Sequence, residues 1–300
     1  MMDKFKIFLM PSVCTVFGII ILMLLVFTLN SIAVFKQEGF AIYTTNIWKA
    51  SEVAEEEYYG ILAAIYGTIY TSTIAILISL PISIGLAIFV SDLIPKKIRE
   101  FFIIPIDVMA GLPTILYGIW GVFILVPSIS GIIKFFYERL FFIPLFSYYN
   151  PTGFSYLSAG VLLAIMITPF ATSLIRESYL AIPNIYREAV YSLGLTRYEA
   201  TKILLSYIKP AIVAGLLLAF GRAVGETVAV SLVIGNAFNI HPSLFAPGYT
   251  ISSLIANQFG NAFAYELMPS ALFSAGLALF SIGLIVNFAG LIILKRWGYA

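Results

Sequence analysis

Charge is what this sequence has least of. Only 11% of its 300 residues are Asp, Glu, Lys or Arg, while 61% are hydrophobic. So few charges cannot coat a soluble domain of this size, so a polytopic membrane protein is expected. Cysteine is almost absent. Cys14 stands alone in an apolar run, which excludes an internal disulfide and a cysteine-based metal site. His241 has no second histidine with which to hold a metal. A net charge of +2 gives no footing for nucleic acid. No Gly-x-x-x-x-Gly-Lys-Ser/Thr loop occurs, which excludes ATP binding of the usual P-loop kind. No nucleophile–base pair presents itself, so an enzyme is not expected, and any energy must come from a partner.

What is present is long apolar runs. Spans need about 20 mostly apolar residues. Six such stretches fall at 7–27, 67–90, 108–128, 157–174, 211–234 and 272–294. The first follows Lys4 and Lys6 but is longer than a signal-peptide core. No small-x-small cleavage site follows it, so it reads as a retained span. With the N-terminus inside, the inner segments hold Lys4, Lys6, Lys96, Lys97, Arg99, Arg176, Arg187, Arg197, Lys202, Lys209, Lys295 and Arg296. The outer segments hold only Lys36, Lys49, Lys134 and Arg139. This bias predicts cytoplasmic termini. Residues 1–66 are then a first span and outer segment, and 67–300 the main membrane domain. The aromatic stretch 131–150 is expected along the outer interface, and 252–260 as a short outer helix. Trp48, Trp120 and Trp297 read as interface anchors or packing residues.

The longest inner loop, 175–209, has legible local chemistry. Pro183 suits the first position of a helix, and 184–193 is a good helix former. Gly194 can take the left-handed conformation that ends it. Thr196 and Glu199 have capping-box spacing for a second helix from Arg197 to about Tyr207. Helix, tight turn and helix should project into the cytoplasm. A plain amphipathic loop on the membrane is the alternative.

The charged exception lies in the fifth span, where Arg222 and Glu226 interrupt the run Gly221–Asn236. An ionisable residue inside a bilayer is expensive and marks a functional site by default. Arg222 would sit roughly 16 Å from the inner end at ~1.5 Å per residue, near the middle of a core about 30 Å thick. On an unbroken helix Glu226 would share its face and neutralise it. A guanidinium grips an oxyanion in a bidentate way, so exchange of Glu226 for an anion would make a weak site for passage. A purely structural ion pair is the other reading. Gly221 and Gly225 offer a small-residue face that suits either. Asp107 and Thr227 are further candidates for the path. Asp107 is expected at an interface, capping a helix.

These segments carry a resemblance. Arg187-Glu188-Ala189-Val190-Tyr191-Ser192-Leu193-Gly194 resembles the Glu-Ala-Ala…Gly loop of ABC importer permeases, with Val190 in place of Ala. Gly221–Asn236 resembles the fifth span of the PstC-type permease of the phosphate importer. Gly111-Leu-Pro-Thr-Ile-Leu-Tyr-Gly-Ile-Trp-Gly121 resembles its third-span run, with Thr114 where Ser is usual. The likeness runs from about Tyr66 to the C-terminus. It implies an all-α membrane fold of the type I ABC importer permease kind, six spans, in the cytoplasmic membrane of a prokaryote. It implies phosphate as cargo. It also implies a second, PstA-type permease, a dimer of ATPase subunits using ATP and Mg, and an extracytoplasmic phosphate-binding protein. Arg187, Glu188, Ala189, Gly194, Thr196 and Glu199 would then couple to the ATPase. Another oxyanion, molybdate or sulfate, is the rival cargo, and a self-contained anion carrier or channel the rival class.

Overall fold

Apolar run length sets the architecture, and proline decides where the runs break. The protein is described here by a computed structural model covering residues 2–296. Trp297 lies outside the described residues. The chain begins with α1 (Met2–Asn30), followed by α2 (Ile32–Glu38) and a two-stranded hairpin of β1 (Trp48–Lys49) and β2 (Tyr58–Tyr59). Next come α3 (Leu62–Ile88), α4 (Arg99–Gly111), α5 (Thr114–Trp120), α6 (Val126–Leu140) and α7 (Tyr156–Leu180). The remainder is α8 (Asn184–Ser192), α9 (Arg197–Tyr207), α10 (Lys209–Gly225), α11 (Val228–Val233), α12 (Ile251–Ala262) and α13 (Met268–Arg296). Among the described residues, five helical stretches can cross a membrane: Leu9–Asn30, Leu62–Leu93, Thr114–Leu140, Tyr156–Leu180 and Met268–Ile293. α9 and α10 together, bent by 67°, also reach that length and apolarity, and of the two α10 carries the expected fifth span, which α11 continues.

The third span departs from expectation. It runs over Thr114–Leu140 instead of 108–128, and α4 is a separate helix before it. Pro113 accounts for the shift. It lacks an N–H and drives Leu112 into an extended conformation with ψ 141°, which ends α4. Pro127 does not break the span. A π-helical turn over Gly121–Leu125 just before it widens the ladder and accommodates the missing donor. The span therefore continues through Leu140, so the first half of the aromatic stretch 131–150 is span rather than interfacial loop. The fourth span is also longer than expected. α7 runs to Leu180 and takes Arg176 into its last turns.

α7 is the centre of the fold. Its apolar window is 72% buried, against 0% for α1 and 6% for α13. Those two helices present their side chains outward, where lipid replaces water as solvent. Lipid is as apolar as leucine, so close packing and hydrogen bonds must hold α3 to α7. Gly160 shows the packing: a Cβ there would lie 2.5 Å from Ile74 Cγ2. The hydrogen bonds are Thr168 Oγ1 to Ser79 Oγ at 3.1 Å and Ser83 Oγ to the Thr168 carbonyl at 3.2 Å. Each contributes about 0.6 kcal/mol. A second lobe packs Tyr59, Ile61, Tyr249 and Leu254 against α13. Trp48 stacks on Phe238 there with ring centres 5.3 Å apart, as a packing residue. A further cluster of Ile175, Tyr179, Val190 and Leu204 seats α8 and α9 against the end of α7.

Candidate functional site

The fifth span is broken at the charged residues. α10 ends at Gly225, Glu226 is extended at ψ 127°, and α11 restarts at Val228. The expected arrangement of Arg222 and Glu226 on one continuous helix face is therefore corrected, and no ion pair joins them among the described residues. The helix ends there, and the extended backbone of Glu226 turns its side chain and carbonyl to partners other than Arg222. Its Oε1 accepts the Ala229 N–H at 3.3 Å, capping the start of α11. Its carbonyl accepts the Ser252 hydroxyl at 2.6 Å. Only 9% of Glu226 is exposed. Thr227 sits beside it at the break, half-buried, its hydroxyl donating to the Gly225 carbonyl at 3.3 Å.

Arg222 occupies the last turn of α10, where a cation is favoured by the helix dipole. Its guanidinium lies 5.8 Å from the centre of the Phe170 ring on α7 and is close enough to the Tyr117 phenol on α5 to interact electrostatically. It is half-buried, on a stretch where Leu218, Gly225 and Val228 are exposed. A Cβ at Gly221 or Gly225 would meet nothing within 4 Å. The small-residue face beside the arginine is thus unused for packing within this chain. Arg222 stands roughly 20 Å along α10 from Lys209 at ~1.5 Å per residue.

Asp107 is not at a helix start and does not meet Arg222. It lies within α4, accepts the Ser173 hydroxyl at 2.9 Å and faces Arg176 at 3.8 Å. It ties α4 to α7. Of the remaining residues singled out by type, His241 belongs to the outer loop, its Nδ1 accepting the Ser243 N–H at 3.0 Å. Cys14 is exposed on α1.

The inner loop folds as its capping residues require. Gly194 takes φ +70°, ending the α8 turn in the left-handed region. Thr196 and Glu199 form a reciprocal capping box: Glu199 Oε2 accepts the Thr196 N–H at 2.9 Å, and Thr196 Oγ1 accepts the Glu199 N–H at 3.4 Å. Thr196, through its side chain and its N–H, holds the Glu199 carboxyl below its usual pKa. Pro183 is the N-cap rather than the first helical residue, with ψ 140°. Glu188, Ala189, Gly194, Thr196 and Glu199 are all exposed. So are Ile185, Leu193 and Tyr198, which give the tip an apolar surface.

Arg187 behaves differently from its neighbours. It turns inward and faces Asp92 at 3.4 Å, while Nη2 donates to the Tyr179 carbonyl. Its guanidinium lies 4.7 Å from the centre of the Tyr179 ring. Tyr179 donates its hydroxyl to the other oxygen of Asp92. Sequence reading missed Asp92 and Tyr179. The one available signal was an acid, Asp92, at the inner end of an apolar run otherwise followed by basic residues.

A bundle of apolar helices with a charged, broken fifth span and a capped inner helix pair defines a membrane transport subunit. The chain belongs to the family described as binding-protein-dependent transport system inner membrane component, which matches residues 79–299. It is a transport component, not an enzyme, and a multi-pass protein of the cytoplasmic membrane. The resemblance to PstC-type permeases extends over nearly its whole length. The protein of Methanocaldococcus jannaschii described as "Probable phosphate transport system permease protein PstC" is 57% identical over 296 residues, 98% of this chain and 94% of that one. The phosphate transport system permease PstC of Xylella fastidiosa is 41% identical over 86% of this chain and 78% of that one. Among solved structures, a bacterial ABC transporter involved in the import of alginate matches with a TM-score of 0.64. It is 17% identical and covers 98% of this chain and 96% of that one. The MetNI methionine transporter matches with a TM-score of 0.56 at 16% identity, over 79% of this chain and 93% of that one. These structures share the permease fold.

Proposed function

We propose that this chain is the permease subunit that passes inorganic phosphate through an ATP-driven importer. The observation that carries the reading is Arg222: a guanidinium inside a span, without a carboxylate partner among the described residues, beside two glycines that face open space. In that reading the open face meets a second permease of PstA type, and the path runs between the two subunits. The cargo's negative charge pairs with Arg222 as it passes. Glu226 and Thr227 hold the break that ends α10 beside it. Asp107 serves the path indirectly, through its contact with Arg176. The 57% identity to a phosphate permease supports phosphate over molybdate or sulfate.

The exposed tip of α8 and α9, with Glu188, Ala189, Gly194, Thr196 and Glu199, docks on a dimer of ATPase subunits that bind ATP and Mg. Arg187 sets the tip's position from within. The termini and residues 175–209 face the cytoplasm, residues 1–66 form an accessory span and outer segment, and an extracytoplasmic phosphate-binding protein delivers cargo from the other side. The test is uptake of radiolabelled phosphate by liposomes holding the complete complex, with sulfate and molybdate as competitors. Uptake that needs ATP and the binding protein and resists both competitors supports the reading. Uptake by this chain alone would establish a self-contained carrier instead.

A further inference from the structure

The inner end of α3 is not a regular helix. Phe89–Leu93 forms a π-helical turn, and this turn presents Asp92 toward the inner loop. A π turn projects side chains in directions an α-helix does not, and such turns occur frequently at functional sites. Four further elements converge on it. Arg187 of α8 faces Asp92 Oδ1 at 3.4 Å. Tyr179 of α7 donates to Asp92 Oδ2. Thr201 of α9 lies beside the Tyr179 hydroxyl. Arg99, at the start of α4, donates to the Ser91 carbonyl in the same turn. Arg187 closes the ring by donating to the Tyr179 carbonyl and lying over its aromatic face. The side chains of Asp92 and Arg187 are each 18% exposed, and Tyr179 is 1% exposed.

The arrangement is more than a surface ion pair. An exposed pair contributes about 0–1 kcal/mol and yields easily. Here one guanidinium spends its planar fork on a carboxylate and a carbonyl at once, and the carboxylate uses both oxygens. Lysine cannot reproduce that geometry. The opposite face of α8 carries the exposed Ile185 and leads to Leu193 at the tip. A force applied at the tip therefore reaches α3 and α7 through a few directed bonds, in addition to the apolar seat of Val190.

We infer that Asp92, Tyr179 and Arg187 form the joint through which α8 and the inner ends of α3 and α7 move as one body, which makes Asp92 and Tyr179 positioning residues for transport. This rests on the reading of the α8–α9 tip as the ATPase dock. Movement of the ATPase subunits displaces the tip, and the joint passes that displacement to the spans that pack around Arg222. α7 is the direct link, since it carries both Tyr179 and Phe170, the ring beside Arg222. A joint of this kind differs from a fold-stabilising contact in one respect: weakening it separates ATP hydrolysis from uptake.

The test uses the whole complex in liposomes, comparing the parent with Asp92→Asn, Arg187→Lys and their double variant. Three quantities are read: ATPase retained on purification, ATP hydrolysis, and phosphate taken up per ATP. The expected result is retained ATPase, continued hydrolysis, and uptake per ATP lower by about tenfold. The double variant should be no worse than the singles, because all act on one joint. Tyr179→Phe keeps the ring and its volume while losing only the hydroxyl, so it serves where the Asp92→Asn chain itself fails to fold into the membrane. Unchanged uptake per ATP in these variants overturns the proposal. Loss of the ATPase from Asp92→Asn also overturns it, since the cluster would then merely shape the dock. Leu193→Asp, at the exposed tip, tests the underlying reading separately. If that variant keeps its ATPase, the docking assignment falls and the joint with it. If it loses the ATPase while Asp92→Asn transports normally, the dock stands and the joint alone fails.

Discussion

Ser252 on α12 donates a 2.6 Å hydrogen bond to the backbone carbonyl of Glu226, at the break between α10 and α11. In a bilayer, irregular backbone persists only where the protein satisfies its polar groups, since each unsatisfied group costs several kcal/mol. The helix α12 supplies that satisfaction. Its own start is fixed by the Thr250 and Ser253 capping box and by the Ile251 N–H bonding to Thr68 of α3 at 2.9 Å. The charged break is thus held by α12, the short helix expected over 252–260.

Ser252→Ala removes this donor and leaves a buried carbonyl short of a partner. The expected loss is about 1–3 kcal/mol of stability, read as a lower midpoint in thermal unfolding of the purified complex. Phosphate uptake should fall as well, because the break no longer holds one geometry. A variant as stable as the parent would show that water or a neighbouring group replaces the serine.

Arg222→Gln should abolish most uptake without unfolding the protein. Since Arg222 and Glu226 are not paired, removing the cation leaves no stranded carboxylate, and the thermal midpoint should hold. Uptake should fall by roughly tenfold to a hundredfold, the worth of a charge-assisted contact to the passing anion. Glu226→Gln keeps an acceptor for the Ala229 N–H, so it should be mild in stability. The double variant should match Arg222→Gln. Near-normal uptake in Arg222→Gln would falsify the path assignment, and restored uptake in the double variant would point to a structural pair.

The sequence made some of this legible and hid the rest for identifiable reasons. Run length located the first, second, fourth and sixth spans, because solvation by lipid acts on every residue of a span. Capping chemistry located α8 and α9, because Gly194, Thr196 and Glu199 act within a few residues of one another. The third span was misplaced because Pro113 and Pro127 look alike in sequence, yet one ends a helix and the other is absorbed by a π turn. The Arg222–Glu226 pair was misread because helical spacing was assumed to continue. The Glu226 carbonyl left free at the break bonds Ser252, 26 residues later, a contact that helical spacing does not reveal. Asp92 and Tyr179 were missed for the same reason: their partners are 95 and 87 residues from Asp92 in the chain.

Gly194→Val tests the tight turn at the dock. A valine Cβ would meet nothing within 4 Å there, so the whole effect comes from φ +70°. A β-branched residue in the left-handed region costs roughly 1–2 kcal/mol. The α8–α9 angle should relax, and ATPase retention on purification should drop while the spans stay in the membrane. Full retention of the ATPase with normal uptake would remove this turn from the coupling role.

The outer segment predicts a pH dependence through Glu38. Burial pushes its carboxyl above the ordinary value of 4.5, and the Tyr59 N–H bond to Oε1, at 2.8 Å, only partly opposes this. Its second oxygen is buried without a partner. The folded state therefore binds the proton more tightly than the unfolded chain does. Its contribution to stability is complete below pH 4.5 and is lost as pH rises through the folded value. Other carboxylates titrate over the same range, so the parent's melting curve alone is not diagnostic. Glu38→Gln isolates the effect, because glutamine still accepts the Tyr59 N–H but carries no charge at any pH. The difference in thermal midpoint between Glu38→Gln and the parent should favour the variant near neutral pH and shrink toward zero on acidification. A difference that stays constant across the range, or one that favours the parent near neutrality, would show that the Glu38 carboxylate is fully paid for by its surroundings.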